Sequence, residues 1–202
     1  LARLEEVKNK VVKNMDEYNF INATTEIMKF MSDDLSSFYL DIAKDILYCE
    51  EQSSKRRLQI QTVINEVTFT LMRLLNPIIP FTMDEVNKNY PLSSEENVMY
   101  YAYPSVTHDY DATLLNDYKV MKSLRDKVLS ALENARSTGL IGSAQEALVL
   151  LNVKDETIKK ELTKYSNEEL ERIFIVSEVK FDENVTENPS DLGNIKIEKH
   201  SG

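Results

Sequence analysis

Apolar residues recur at steps of three and four positions through the first half of the chain, and this spacing predicts helices that each bury one stripe. The first stripe predicts a helix over about residues 2–18. The second predicts a longer helix over about residues 23–47, with a kink near residues 32–34. The positions expected to be buried in these two helices are Leu4, Val7, Val11, Met15, Ile27, Phe30, Met31, Leu35, Phe38, Ile42 and Ile46.

A third stripe predicts a helix over about residues 55–75, preceded by two candidate N-caps, Ser53 and Ser54. Pro77 ends this helix, because proline has no N–H to donate to the helical ladder. Thr82 is then expected to cap a short helix that runs to about residue 90. The first 90 residues therefore read as consecutive helices joined by short turns.

A long connection over residues 91–112 precedes a fourth long helix, which covers about residues 112–137 and ends before Gly139. The pattern changes after Gly142. Segments at 147–153, 173–181 and 194–200 have the apolar runs and alternation of strands.

Two short helices are expected between the first two strands, capped by Asp155 and Asn167. The predicted fold is mainly α. A helical bundle over residues 1–138 is followed by a small α+β module over residues 139–202.

The composition agrees with a soluble globular protein, since 42% of the 202 residues are hydrophobic and 29% are charged. No apolar run approaches the ~20 residues that span a bilayer, so no membrane contact is expected. The chain lacks an initiator Met and starts with a charged helix, which indicates a fragment of a longer protein. The single Cys49 cannot form an internal disulfide and is consistent with the reducing cytoplasm. One Cys and two His give no basis for a metal site.

The net charge of −10 argues against a nucleic-acid-binding protein, because Lys and Arg make the phosphate contacts. The charge is uneven, however. Residues 1–90 carry 11 basic and 14 acidic side chains, and residues 91–202 carry 13 and 20. A local basic surface can persist in an acidic protein, since exposed charges more than roughly 8 Å apart are largely screened.

No arrangement of residues indicates catalysis. Paired carboxylates such as Asp33 with Asp34 occur in charged stretches, where a solvated helix end is the common situation. Residues 139–143 resemble a phosphate-binding turn only loosely. They lack the P-loop Lys and follow a helix, so a helix stop leading into a strand explains them better. We therefore assign no catalytic residue and no metal ligand.

The candidate RNA-binding residues are cations in two groups. RNA loops are recognised by stacking on aromatic rings and Arg planes, with Lys and Arg holding phosphates. The first group stands at a helix start, where a cation opposes the helix dipole. The second is expected along one face of the fourth helix. The candidates are Lys55, Arg56, Arg57, Lys119, Lys122, Arg125 and Arg136.

Two alternatives compete with this interpretation. The cations could form ordinary solvated surfaces, with the first group paired to Glu50 or Glu51. The aromatic residues that could stack on bases, Phe38, Tyr39 and Tyr48, follow helical spacing with Leu35 and Ile42 and are more often core residues.

Several segments in order resemble bacterial isoleucyl-tRNA synthetase, a class I aminoacyl-tRNA synthetase. The first is Leu-Ser-Ser-Phe-Tyr-Leu-Asp at 35–41. The other similar segments are residues 44–48, 56–62, 74–86, 124–136 and 139–151. Valyl and leucyl relatives share the bundle, but the fourth helix running into the small module favours the isoleucyl type.

The resemblance implies a C-terminal anticodon-binding bundle followed by a junction module. The HIGH and KMSKS motifs, the editing domain and the Cys-rich zinc-binding segment of the family have no counterpart in this chain. By resemblance, the parent enzyme is an isoleucine–tRNA ligase that uses ATP with Mg²⁺ and contains zinc. This fragment alone is expected to be inactive and to hold no cofactor.

The implied partners are the anticodon stem-loop of isoleucine tRNA and the catalytic core of the same polypeptide, in a cytoplasmic monomer. Three alternatives remain. The chain could be the same region of a valyl- or leucyl-type synthetase, or a helical protein-interaction module, which the acidic charge favours. The third is an enzyme with an unrecognised carboxylate site.

Overall fold

The computed structural model describes residues 1–107 and 110–200, which form two compact units over Leu1–Ala112 and Thr113–Gly202. The predicted mainly α fold with a small mixed module is confirmed. His108, counted above among the residues too few to form a metal site, lies outside the described residues.

Helix α1 spans Ala2–Asp16, two residues shorter than expected, because Tyr18 takes a left-handed φ of 59°. Asn19 then caps α2, which spans Phe20–Lys29, by accepting a hydrogen bond from the Asn22 N–H. The short turn between the helices lets their apolar stripes face each other. The unit 1 core consists of Leu4, Val7, Val11, Val12, Ala23, Ile27, Phe30, Val67, Leu71 and Leu74.

The helix after α1 is irregular in its middle. A π-helical segment over Phe30–Leu40 joins α2 to α3, which spans Asp41–Cys49. The sequence placed a kink near residues 32–34, and the structure shows that wider helical turns take its place. Within this segment Asp34 is buried and accepts a 2.9 Å hydrogen bond from Arg3 Nε, which fixes the segment to α1.

Helix α4 spans Lys55–Leu75, as predicted, and α5 spans Pro80–Asn89. The expected cap at Thr82 is wrong, because α5 begins two residues earlier at Pro80, whose fixed φ suits the first helical position. A short 3₁₀ turn follows at Val98–Tyr100.

Unit 2 starts with α6, Ala112–Ser137, whose end is marked by Gly139 with φ +75°. A 3₁₀ turn at Ala144–Glu146 leads into the sheet. The three strands are β1 (Ala147–Val153), β2 (Glu178–Phe181) and β3 (Gly193–Lys199), in the order β2-β1-β3. Strand β1 runs parallel to β2 and antiparallel to β3.

Two short helices connect the parallel strands. Helix α7 spans Glu156–Leu162 and α8 spans Asn167–Phe174, and they pack against β1 and β2 respectively. Asp155 caps α7 as predicted, but Ser166 rather than Asn167 caps α8, through a capping box with Glu169.

The predicted strand over 173–181 begins too early, because its first residues complete α8 and Ile175 then ends that helix in the left-handed conformation.

The boundary between the compact units differs from the predicted division at residue 138. The prediction grouped α6 with the other helices by type, whereas α6 packs with the mixed module. Arg125 of α6 shows this directly, since its Nε donates a 2.7 Å hydrogen bond to the Ile173 carbonyl oxygen at the end of α8.

Candidate nucleic-acid interface

The turn between α3 and α4 brings cations to a helix N-terminus. The Ser54 hydroxyl oxygen accepts a 3.4 Å hydrogen bond from the Arg57 N–H and so caps α4. Lys55 and Arg56 occupy the first two positions of this 21-residue helix and are exposed. Their charges add to the positive end of the helix dipole. This arrangement is unfavourable for the isolated helix and attractive to an anion such as a phosphate.

Glu50 organises this turn through three contacts. Its Oε1 lies 3.1 Å from Arg56 Nη1, and its backbone oxygen accepts a 2.8 Å hydrogen bond from Arg57 Nη1. The Ser54 hydroxyl donates to Glu50 Oε2. The pairing of the first cation group with Glu50 is therefore present, and it holds the Arg56 guanidinium near the helix start while leaving 45% of its side chain exposed.

Arg57 differs from its two neighbours. It is half-buried, and its Nε is buried with no hydrogen-bond partner among the described residues. Its guanidinium joins the first turn of α4 to the Glu50 carbonyl, so it positions the turn. Lys55 and Arg56 are the exposed cations of this group.

Tyr48 lies in the last turn of α3 and is 86% exposed. Its helical spacing with Leu35 and Ile42 predicted a core residue, and that interpretation is wrong. The available signal was its distance from Ile46, because two helical positions correspond to about 200° around the axis. Phe38 and Tyr39 are half-buried, as their spacing indicated, and burial raises the pKa of the Tyr39 phenol.

The second group of cations does not form one exposed face. Lys119 is exposed and Lys122 is half-buried, but Arg125 is only 1% exposed and is held by the Ile173 carbonyl. Steps of three residues drift by about 60° each around a helix, which turns Arg125 away from Lys119. The expectation that Arg125 shares a surface with them is wrong.

Arg136, the last candidate, is exposed near the end of α6, and its Nη1 lies 3.1 Å from Glu133 Oε2. It belongs to unit 2, whereas Tyr48, Lys55 and Arg56 belong to unit 1. Tyr48, an exposed aromatic residue, thus stands two positions before Glu50, whose carboxylate contacts the exposed Arg56, and Lys55 is the exposed neighbour of Arg56. We call Tyr48, Lys55 and Arg56 the α3–α4 site.

Metal binding and membrane insertion are two other functions on which the structure bears. Among the described residues, no group of three or more His, Cys, Asp or Glu side chains is placed to hold a metal ion. No helix in those same ranges is both long and apolar enough to cross a membrane.

The chain is a helical module with exposed cations and an exposed aromatic residue at one turn, the kinds of side chain with which proteins contact unpaired RNA. Comparison with known proteins makes this specific. Residues 1–153 match the anticodon-binding domain of tRNA ligase, and the chain belongs to this family.

Three similar proteins are named isoleucine–tRNA ligase. The chain is 33% identical to the isoleucine–tRNA ligase of Kosmotoga olearia over 100% of its own length and 22% of the relative. It is 39% identical to isoleucine–tRNA ligase 1 of Oceanobacillus iheyensis over 99% of the chain and 22% of the relative. It is 34% identical to the isoleucine–tRNA ligase of Thermotoga maritima over 100% of the chain and 22% of the relative. The chain thus spans about a fifth of the length of these relatives.

Proposed function

We propose that this chain is the tRNA-recognition region of an isoleucine–tRNA ligase and that it binds the anticodon stem-loop of isoleucine tRNA. The observation that carries the proposal is the exposure of Tyr48, Lys55 and Arg56 on either side of one short turn, in a chain of the anticodon-binding family. The relatives named isoleucine–tRNA ligase support the choice of tRNA.

The α3–α4 site has the chemistry that a single-stranded loop needs. Bases of an anticodon loop are unpaired and can stack on an aromatic ring such as Tyr48. Lys55 and Arg56 supply charge to adjacent phosphates, aided by the α4 N-terminus. Glu50 keeps Arg56 extended along the turn before RNA arrives, and an incoming phosphate competes with this carboxylate for the guanidinium.

The reaction belongs to the whole protein. The complete ligase activates isoleucine with ATP and Mg²⁺ and attaches it to tRNA, with zinc bound in a further segment. The catalytic core belongs to the same polypeptide, which acts as a cytoplasmic monomer. We assign none of these groups to residues of this chain, whose part is to hold the anticodon at a fixed distance from that core.

Charge reversal tests the site. Arg56→Glu should weaken binding of the isoleucine tRNA anticodon stem-loop at least tenfold, because it replaces a phosphate contact by repulsion. Fluorescence anisotropy with labelled RNA hairpin measures this. The matched control is Arg172→Glu, because Arg172 is also 45% exposed and lies 3.6 Å from a carboxylate of Glu168. Equal affinities of the two variants would remove the α3–α4 site from the account.

A further inference from the structure

Unit 2 contains a cleft of about 620 Å³ at the carboxyl ends of its two parallel strands. The cleft is lined by the end of β1 and by α7, by Phe181 of β2 and the segment after it, and by Tyr165 and Asn167, which follow α7 in the chain. Crevices at the carboxyl ends of parallel strands are the common ligand sites of α/β folds, and this volume lies within their usual range.

The aromatic ring of Phe181 is exposed to solvent. Alternation along β2 places it on the same face as Val179, which is fully buried, yet Phe181 is 52% exposed. Phe181 is one of the residues that line the cleft. Tyr165 lines it as well and is half-buried. Two aromatic rings at a solvent-accessible cleft provide surfaces on which a planar ligand can stack.

Some polar groups of the cleft are already used by the fold. Asn152 Nδ2 donates to the Glu183 and Val185 carbonyls at 2.9 and 2.8 Å, and the Thr163 hydroxyl donates to the Lys160 carbonyl.

Two polar side chains remain available. Within residues 1–107 and 110–200, the Asn167 carboxamide and the Tyr165 hydroxyl have no hydrogen-bond partner. Asn167 supplies both donors and an acceptor.

The charged residues that line the cleft are Lys159, Asp182 and Glu183, so its rim is acidic. Lys159 Nζ lies 2.9 Å from Glu156 Oε1. Asp182 Oδ1 accepts 2.9 Å hydrogen bonds from the backbone and side-chain nitrogens of Asn184. Glu183, near Lys159, helps to raise the Lys159 pKa, although the Glu156 hydrogen bond is the larger cause. The one lysine in the described lining is already paired, which disfavours a free phosphate, and the exposed aromatic rings favour a planar ring that stacks on them.

We propose that this cleft binds an unpaired nucleobase of RNA, which stacks on Phe181 and hydrogen-bonds through its edge to Asn167 and Tyr165. The proposal rests on the proposed function, because it gives the RNA-binding chain a second contact, in unit 2. Stacking of single bases on aromatic rings contributes to single-strand binding, so a free mononucleotide should bind weakly but measurably.

The test is an NMR titration of the 202-residue chain with the four nucleoside 5′-monophosphates. Amide signals of Tyr165, Asn167 and Phe181 should shift with at least one of them. Phe181→Ala should weaken that binding at least tenfold. Phe20→Ala is the matched control, because Phe20 in unit 1 is also 52% exposed, and it should leave the affinity unchanged.

Three outcomes would overturn the proposal. The first is no shift at these amides with any nucleotide. The second is the same shifts with ribose 5-phosphate, which has no base. The third is tighter binding of arginine amide, which would identify a protein-docking cleft.

The two proposals fail separately. If Arg56→Glu loses hairpin binding but the cleft does not respond to nucleotides, only the cleft proposal is rejected. If the cleft binds a nucleotide but Arg56→Glu binds the hairpin normally, only the α3–α4 site is rejected.

Discussion

At the scale of single residues, the same kind of side chain is exposed at one place and buried in the fold at another. Arg56 stands at a helix start, where its charge remains in solvent beside Glu50. Arg125 lies inside unit 2 and donates to the Ile173 carbonyl, one of the groups left unpaired at the end of α8. Ile175 ends that helix in a left-handed conformation that β-branched residues rarely adopt. Arg125 thus stabilises an unusual helix end.

We predict that Arg125→Ala lowers the free energy of unfolding by about 2–4 kcal/mol, because it removes a buried side chain and leaves the half-buried Ile173 carbonyl without this donor. Urea unfolding followed by circular dichroism measures the change. Arg136→Ala on the same helix should cost no more than about 0.5 kcal/mol, since its ion pair with Glu133 is exposed. Similar losses in both variants would contradict the structural role of Arg125.

At the scale of elements, the caps of short helices in unit 2 carry measurable consequences. Asp155 caps α7 by accepting hydrogen bonds from the Thr157 and Ile158 N–H groups, at 2.8 and 3.1 Å. These backbone donors, that of Ile158 first, lower the pKa of Asp155 from its ordinary value of 3.8. A carboxylate with a lowered pKa in the folded state stabilises the fold above pH 3.8 and stops doing so as the pH falls through the folded value.

Asp155→Asn separates the charge from the hydrogen bonds, because Asn also accepts at an N-cap but does not titrate. We predict that the stability difference between the wild-type chain and this variant is constant from pH 7 to pH 5. Below pH 3.8 the wild type should lose stability relative to the variant. Urea unfolding at pH 7, 5, 3 and 2.5 checks this, and groups common to both chains cancel in the difference. A difference that does not change with pH would contradict the assigned cause.

Elements with a long apolar stripe could be predicted from the sequence. The bounds of α4, α6 and β1 follow from such stripes, from the Ser54 cap and from Gly139. The π-helical segment could not be predicted, because its wider turns depend on packing such as the Arg3–Asp34 contact, 31 positions apart in the chain. The start of β2 was predicted too early, since an apolar run is compatible with a helix end as well as a strand.

The candidate site was predictable only in part. Lys55 and Arg56 were identified because a cation at a helix start opposes the dipole, which is a local signal. Tyr48 was assigned to the core, because membership of a helix was considered and its angle relative to Ile46 was not. Arg125 was assigned to the surface, since nothing in its local sequence indicates the Ile173 carbonyl, 48 positions away. Contacts of this kind follow from the fold alone.

At the scale of the whole molecule, the net charge is −10, whereas the α3–α4 site carries two exposed cations. Distant carboxylates are screened at physiological salt, whereas a phosphate bound at the α3–α4 site would lie within contact distance of Lys55 and Arg56. We therefore expect that RNA binding by this chain depends on few phosphate contacts. Such binding is sensitive to salt, but less so than that of proteins with extended basic surfaces.

The salt dependence of binding tests the central claim most directly. Affinity of the 202-residue chain for the isoleucine tRNA anticodon stem-loop is measured by anisotropy between 50 and 200 mM salt. Two phosphate contacts, from Lys55 and Arg56, predict a slope of log K against log salt of about −1.4, at about −0.7 per contact for a single strand. Arg56→Glu should reduce the magnitude of this slope by at least about half, and Arg172→Glu should leave it unchanged. Absence of binding at 50 mM salt, or a slope of zero, would contradict the claim that this chain recognises the anticodon through the α3–α4 site.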